Sequence, residues 1–211
     1  MMIATFNVAT TGGGTLTADL LPSDDVFIRG GSFANTNLNS AVSDATGYPY
    51  VATRASANDE YRRRVLLKFD TTTLASGTTI DSATLSVTLS FSNTLTRSVK
   101  AYDVTESGWV ETNVTWNNRL PGTPWLTPGA TLGSVRATSS IGTTVGHTYS
   151  FDVKSWVQTV VDGQQPGGSH WTRLALVDED TSGTNETYKE YYSKEANVAN
   201  EFKPRLIINY H

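Results

Sequence analysis

The chain has 211 residues, of which 52 are serine or threonine, 17% are charged and none is cysteine. The lack of cysteine excludes disulfide bonds, thiolate-ligated metals and thiol nucleophiles, and a formal net charge of −4 argues against a nucleic-acid partner. The sequence holds no run near the roughly 20 apolar residues of a membrane helix, so we expect no membrane insertion.

The N-terminal residues differ from the rest of the chain. Residues 1–13 are predicted to form an arm, in which a short β-like stretch precedes a run of glycines. This stretch has neither the basic start nor the long apolar core of a signal peptide. From residue 14 to residue 211 no linker or change of composition divides the sequence, which indicates a single domain.

Short strands are predicted along that domain, in the order Val65–Phe69, Ala83–Phe91, Val99–Val104, Thr148–Val153, Thr172–Val177 and Leu206–Tyr210. In Ala83–Phe91 apolar residues alternate with serine and threonine, so we expect one face towards a core and a hydroxyl face towards solvent. Turns rich in glycine and proline separate the strands. The pattern is typical of an all-β fold, a two-sheet antiparallel sandwich of the jelly-roll type.

One short helix is predicted near residues 153–161, where four apolar residues recur at helical spacing: Val153, Trp156, Val157 and Val160. Asp152 is the expected N-cap and Gly163 is expected to end the helix. We expect this helix to plug one end of the sandwich.

Several segments occur in the order that is found in a known family. They are DVFIRGGSFANTN (25–37), RVLLKFD (64–70), SGWVETNVTWNN (107–118), SFDV (150–153), and YYSKEA (191–196) with PRL (204–206). On these segments residues 15–211 resemble the DNRLRE domain family, which overlaps carbohydrate-binding module family ninety-six. The resemblance implies a non-catalytic jelly-roll module of a secreted or surface protein. It further implies a polysaccharide ligand, including acidic polymers such as alginate.

Recognition of an acidic polysaccharide requires cations along an extended face, because arginine and lysine pair with carboxylates. The densest basic run supplies Arg62, Arg64 and Lys68, which share one face of a strand. Arg29 and Lys194 lie in family-like segments and are expected to join them. The alternative is a solvated basic face that protects a sheet edge from aggregation.

Aromatic rings stack on sugar rings, and two of them are candidates for this role. Trp116 precedes the polar residues 117–119 and is predicted to be an exposed platform. Tyr191 and Tyr192 point to opposite faces of a strand, so one is expected to be buried and Tyr192 is placed in the binding site. The tryptophans predicted to lie in the core are Trp109, Trp156 and Trp171.

Three further interpretations remain open. No cofactor is required, but jelly-roll carbohydrate modules often carry a structural calcium, and the acidic runs at 23–25 and 178–180 offer oxygen ligands. A virion structural protein would dock on capsid or tail subunits through its arm. A polysaccharide lyase or hydrolase comes third, because His147, His170 and His211 have no recognisable partner motif. For either binding role we expect an extracellular or surface-exposed location.

Overall fold

The computed structural model describes residues 14–166, 169–182 and 187–211. The predicted arm, residues 1–13, lies outside the described residues, and so does the docking role that the virion alternative gives to it. The described residues fold into two large antiparallel sheets and one short α-helix, which confirms the predicted all-β sandwich.

The first sheet has six antiparallel strands. They are β1 (Leu16–Leu20), β3 (Tyr50–Thr53), β5 (Ile80–Ser92), β10 (Thr148–Asp152), β12 (Lys189–Tyr192) and β13 (Arg205–Tyr210). The strand order is β1-β13-β5-β12-β3, and β10 pairs with β5 as well. With 13 residues, β5 is long enough to pair with all three of its neighbours.

The second sheet has five antiparallel strands. They are β2 (Asp24–Arg29), β4 (Arg63–Asp70), β6 (Arg97–Val104), β9 (Leu132–Ile141) and β11 (Trp171–Asp178), in the order β2-β4-β11-β6-β9. Each of the six strands predicted from the sequence is found in one of the two sheets, with its bounds extended or shortened by a few residues.

The main core lies between the two sheets. Val65, Leu67 and Phe69 of β4 face Leu85 and Val87 of β5 in one buried cluster, and each of these side chains has no exposed surface. Alternation along a strand explains this arrangement, because every second side chain points to the same face of its sheet.

The hydroxyl face of β5 is less exposed than predicted. Ser86, Thr88 and Ser90 are at most 7% exposed. The hydroxyl oxygens of Thr88 and Thr148 lie 2.8 Å apart, within hydrogen-bond distance across the β5–β10 pair. The expected exposure is wrong here, because β5 is flanked by other strands whose side chains close over it.

Residues 105–131, which we call the covering segment, connect β6 to β9 across the outer face of the five-stranded sheet. The segment contains a small hairpin of β7 (Asn118–Leu120) and β8 (Thr123–Pro124). Its Trp109, Trp116 and Trp125 form a second buried cluster with sheet residues that include Leu66 and Ala175. Around Leu66 and Ala175 the five-stranded sheet is therefore buried on both faces.

The predicted helix is α1 (Lys154–Val161), and its Trp156 and Val160 are buried in the main core. Asp152 accepts a hydrogen bond from the N–H of Lys154 at 3.0 Å, although the N-cap position belongs to the next residue, 153. Gly163 takes the left-handed conformation, with φ at 70°, and ends the helix as predicted. Among the described helices, none has the length and apolarity that crossing a membrane requires.

The covering segment should contribute strongly to stability. Trp109→Ala is expected to lower the free energy of unfolding by about 3–5 kcal/mol, because it removes a large side chain from the buried cluster under the segment. Leu126→Ala is the matched control, since Leu126 lies in the same segment and is 84% exposed. Urea denaturation should show a change within about 0.5 kcal/mol for this control. Similar small losses in both variants would contradict the packing described.

Candidate functional site

The predicted basic face is the outer face of β4, where Arg64 and Lys68 project on either side of Leu66. Arg64 Nη1 donates a hydrogen bond to the carbonyl of Gly129 at 2.6 Å, and Lys68 Nζ donates one to the carbonyl of Trp109 at 2.8 Å. The expectation of an open basic face is therefore wrong, because the covering segment lies over it and both cations bind the backbone of that segment.

Lys68 also borders a groove of about 250 Å³, which is lined by Lys68, Ser107, Gly108, Trp109, Val110, Ser169, Trp171 and Arg173. Lys68 Nζ lies 2.5 Å from a carboxylate oxygen of Asp24 and 5.3 Å from the ring centre of Trp171. Trp171 is partly exposed, which corrects its predicted place in the core. Arg173 donates to the Ser169 hydroxyl and to two carbonyls. The charge of Lys68 is therefore balanced by Asp24, and the donors of Arg173 are engaged by neutral groups of the chain.

Trp116 does not form an exposed platform. It is only 7% exposed, and the Arg64 guanidinium lies 5.1 Å from its ring centre. Gly129 approaches the ring so closely that a Cβ at this position would lie 2.8 Å from it. Its predicted exposure is wrong, because Trp116 fastens the covering segment to the sheet. Trp109 and Trp156 are fully buried, as predicted.

Five arginines gather where β4 begins. Residues 62–64 are consecutive arginines at this point, Arg29 pairs with Arg63 across the β2–β4 ladder, and Arg54 forms a β-bridge to Arg63 from the end of β3. We call this group the arginine end; its members are Arg29, Arg54, Arg62, Arg63 and Arg64. Of the predicted site residues, Arg29 thus lies beside Arg63 and Arg54, while Arg62 and Arg64 project from the opposite face of β4.

Aromatic rings line the arginine end. Guanidinium groups lie over three of them: Arg29 over Phe33 at 3.8 Å, Arg54 over Tyr61 at 4.6 Å and Arg63 over Tyr188 at 4.4 Å. Such cation–π contacts hold the guanidinium groups in place. Tyr61 is 40% exposed, so part of its ring is open to solvent.

Carboxylates neutralise part of the positive charge. Glu60 lies 3.1 Å from Arg29, and Asp59 lies 2.9 Å from Arg62. Hydrogen bonds from the backbone N–H and the hydroxyl of Ser32 lower the pKa of Glu60. Glu60 is therefore ionised at neutral pH and balances the charge of one arginine.

No carboxylate of the described residues balances the charge of Arg63. Among the described residues it has neither an ion pair nor a side-chain hydrogen bond, and its Nε is buried. Burial lowers the pKa of Arg54, and the positive charges of Arg63 and Arg29 lower it further. Burial and the charge of Arg63 likewise lower the pKa of Arg29. Among the described residues, carboxylates of the arginine end therefore pair with Arg29 and Arg62, and none pairs with Arg63.

The sequence reading missed the two added arginines for different reasons. Arg63 belongs to the basic run, but strand alternation groups it with Val65 and the core rather than with Arg62 and Arg64. At the end of β4 it lies beside the rings of Phe27 and Tyr188 and remains partly exposed. Arg54 stands alone in the sequence, so only the pairing with Arg63 in the structure reveals it.

The remaining predicted residues lie in other surroundings. Tyr191 is buried and Tyr192 is partly exposed, as predicted, and the Tyr192 ring packs edge-on against Tyr48 at 5.7 Å. Lys194 donates hydrogen bonds to Glu111 and Glu195. Burial by itself lowers the pKa of Lys194, but these hydrogen bonds outweigh it, and the pKa is raised.

Beside Lys194, three acidic side chains form the one group in the described residues that could hold a metal ion. Carboxylate oxygens of Asp25, Glu111 and Glu195 lie within 4.8 Å of one another. Burial, together with the charge of Glu195, raises the pKa of Asp25 well above its usual range. Of the two acidic runs noted in the sequence, the run at 23–25 therefore contributes only Asp25 to this group.

A comparison with known protein families supports the resemblance seen in the sequence. The family model described as Carbohydrate-binding module family 96 matches residues 16–210, which is nearly the whole chain. A search of curated proteins finds no matching relative.

The ion pair between Lys68 and Asp24 should contribute to the free energy of unfolding rather than to ligand binding. Lys68→Met is expected to lower the free energy of unfolding by about 1–3 kcal/mol, because the Asp24 side chain, 12% exposed, is left without its cation. In a double-mutant cycle with Asp24→Asn, urea denaturation should give a coupling energy of about 1 kcal/mol or more. Strictly additive losses would contradict the pairing.

Proposed function

The chain belongs to carbohydrate-binding module family 96, and we propose that the carbohydrate it binds is an acidic polysaccharide of the uronate type. Membership of this family indicates a non-catalytic binding module. We assign the polymer to the arginine end. The observation that carries this proposal is Arg63, which has an aromatic neighbour in Tyr188 and no carboxylate partner among the described residues.

The chemistry of a uronate polymer matches the charge of Arg63, which no carboxylate of the described residues balances. Each uronate unit carries one carboxylate, and a guanidinium group can bind a carboxylate through two parallel hydrogen bonds. A carboxylate placed at Arg63 would also reduce the repulsion between Arg63 and its neighbours Arg29 and Arg54. Because these guanidinium groups are partly buried, the attraction is stronger than it would be in open solvent.

Tyr61 supports the same location. Its ring is 40% exposed and is held by the Arg54 guanidinium at 4.6 Å from the ring centre. An exposed aromatic ring provides apolar surface for the face of a sugar. The arginine end therefore offers both groups that an acidic sugar requires, a cation and an aromatic surface.

The groove beside Trp171 is the competing location. It too contains a partly exposed aromatic ring, but its Lys68 is paired with Asp24 and its Arg173 donates to Ser169 and to backbone carbonyls. Arg173 is moreover only 1% exposed. The cations of the groove are therefore already engaged by the chain, whereas Arg63 has no hydrogen-bond partner among the described residues, and this difference is the reason for preferring the arginine end.

We also propose that the module works outside the cell, in a secreted or surface-exposed protein, because polymers of this type are extracellular. A chain with a net charge of −4 repels an anionic polymer at long range. Binding therefore depends on the local positive charge at the arginine end and should weaken as salt screens it.

The proposal predicts which side chains the polymer needs. In affinity electrophoresis, alginate or pectate should retard the wild-type chain, while a neutral glucan should not. Arg63→Gln is expected to weaken binding by roughly ten- to a hundredfold, because it removes a charge-assisted hydrogen-bond donor. Tyr61→Ala should also weaken binding, and since Tyr61 is 40% exposed it should do so without unfolding the chain.

Two controls separate this site from its alternatives. Arg205→Gln removes the same charge from the six-stranded sheet, where Arg205 pairs with Asp19, and it should leave retardation unchanged. Trp171→Ala changes the groove. If Trp171→Ala abolishes binding while Arg63→Gln does not, the polymer binds in the groove and the arginine end is wrong. Retardation by the neutral glucan alone would overturn the acidic specificity.

A further inference from the structure

Lys194 places its ammonium group among the three carboxyl groups of Asp25, Glu111 and Glu195. Its Nζ donates hydrogen bonds to Glu111 and Glu195, and it lies 3.9 Å from Oδ1 of Asp25. Asp25 lies on β2 of the five-stranded sheet, whereas Lys194 follows β12 of the six-stranded sheet. The two residues are 169 positions apart in the sequence, so only folding brings this amine and this carboxyl group together.

Asp25 has the most unusual surroundings of the three acids. Its side chain has no exposed surface. Oδ2 accepts a hydrogen bond from the backbone N–H of Lys194 at 2.7 Å, while Oδ1 is buried without a hydrogen-bond partner. Burial, followed by the charge of Glu195, raises the pKa of this carboxyl group well above its usual range. The neutral form of Asp25 is therefore favoured, because a buried charge with an unpartnered oxygen is costly.

Glu111 contacts both of the groups that face each other. Its Oε2 accepts hydrogen bonds from Lys194 Nζ and, at 2.9 Å, from the backbone N–H of Asp25. An ammonium group becomes a nucleophile only when it loses a proton, and a carboxylate in contact with it can accept that proton. The amine of Lys194 thus has a base beside it and a neutral carboxyl group within reach, which are the requirements for condensation of the two.

We propose that Lys194 Nζ and Asp25 Cγ become joined by an intramolecular amide bond. The free amine attacks Cγ, the C–N bond forms, and the bond from Cγ to Oδ1 breaks. Of the three protons of the ammonium group, one stays on the amide nitrogen, one leaves with the Asp25 hydroxyl as water, and one passes through Glu111 to solvent. The backbone N–H that holds Oδ2 stabilises the negative charge that develops on this oxygen during the attack.

Two other lysines each lack a part of this arrangement. Lys68 lies only 2.5 Å from Asp24, but that carboxylate side chain is 12% exposed, and the other hydrogen-bond acceptor of Lys68 is the carbonyl of Trp109 rather than a carboxylate. Lys189 is fully buried, but its Nζ contacts a hydroxyl and two backbone carbonyls. Of these three lysines, Lys194 alone combines a fully buried carboxyl group with a carboxylate base.

The amide ties the start of β2 to the segment that follows β12, and so joins the two sheets covalently. The chain contains no cysteine, so a disulfide bond cannot supply such a link. A cross-link between residues 169 positions apart restricts the unfolded chain and thereby favours the folded state. Formation can be slow, because the bond needs to form only once in each chain, and the fixed contact replaces a bimolecular encounter.

The test is the mass of the intact chain after denaturation. Mass spectrometry of the purified wild-type chain should give a mass that is lower by one water molecule than the mass calculated from the sequence. A proteolytic digest should contain a branched peptide in which Asp25 is joined to Lys194, which distinguishes the amide from loss of water elsewhere. The full calculated mass together with two unlinked peptides would overturn the proposal.

Variants show whether the bond forms between these side chains. Lys194→Arg keeps the positive charge and the means of pairing with the acids, so it should fold, but it should retain the full mass. Lys68→Arg is the matched control, because it changes the lysine that pairs with Asp24, and it should still lose one water molecule. If Lys194→Arg loses water as the wild-type chain does, the assignment to Lys194 is wrong.

Glu111→Gln tests the role of the base. At equal times after purification, the fraction of linked chains should be smaller than in the wild-type chain by roughly tenfold or more, because glutamine cannot accept the proton from Nζ. The same fraction in both chains would overturn the assignment of Glu111 as the proton acceptor.

Discussion

The five-stranded sheet has an apolar outer face, and the fold depends on how that face is covered. Leu66 and Ala175 lie on adjacent central strands and point away from the main core, where exposure to water would be unfavourable. The covering segment buries them beneath Trp109, Trp116 and Trp125. Burial of each large apolar side chain contributes about 1.5–3 kcal/mol, so this second cluster is a substantial part of the stability.

Covering this face also decides which cations are available to a ligand. Arg64 and Lys68 stand on the same strand face as Leu66, so the segment that covers Leu66 meets them as well. Their hydrogen bonds to backbone carbonyls satisfy polar groups that the cover would otherwise bury without partners. Arg63 lies beyond the covered area and has no carboxylate partner among the described residues. Recognition is therefore expected at an end of the sandwich rather than on a sheet face.

The same segment is held from a second direction by the acidic group. Glu111 follows the residues that line the Trp171 groove, and its carboxylate meets Asp25 of one sheet and Glu195 beyond a strand of the other. The acidic group and the arginine end lie at opposite ends of β2, because Asp25 is near its start and Arg29 is its last residue.

Alternation of apolar and polar residues determined the positions of the strands, the sandwich class of the fold and the residues of β4 that face the core. These features depend on the spacing of residues along the chain, which can be read from the sequence itself. Helical spacing and Gly163 likewise determined the position and the end of α1. The surroundings of the cations were decided only by tertiary structure. The sequence places Arg64 and Trp116 in polar-looking stretches, but the covering segment lies over Arg64 and buries its own Trp116 against the sheet. Arg54 and Arg63 become neighbours through strand pairing between two sheets, since charge and burial depend on contacts that the order of residues does not record.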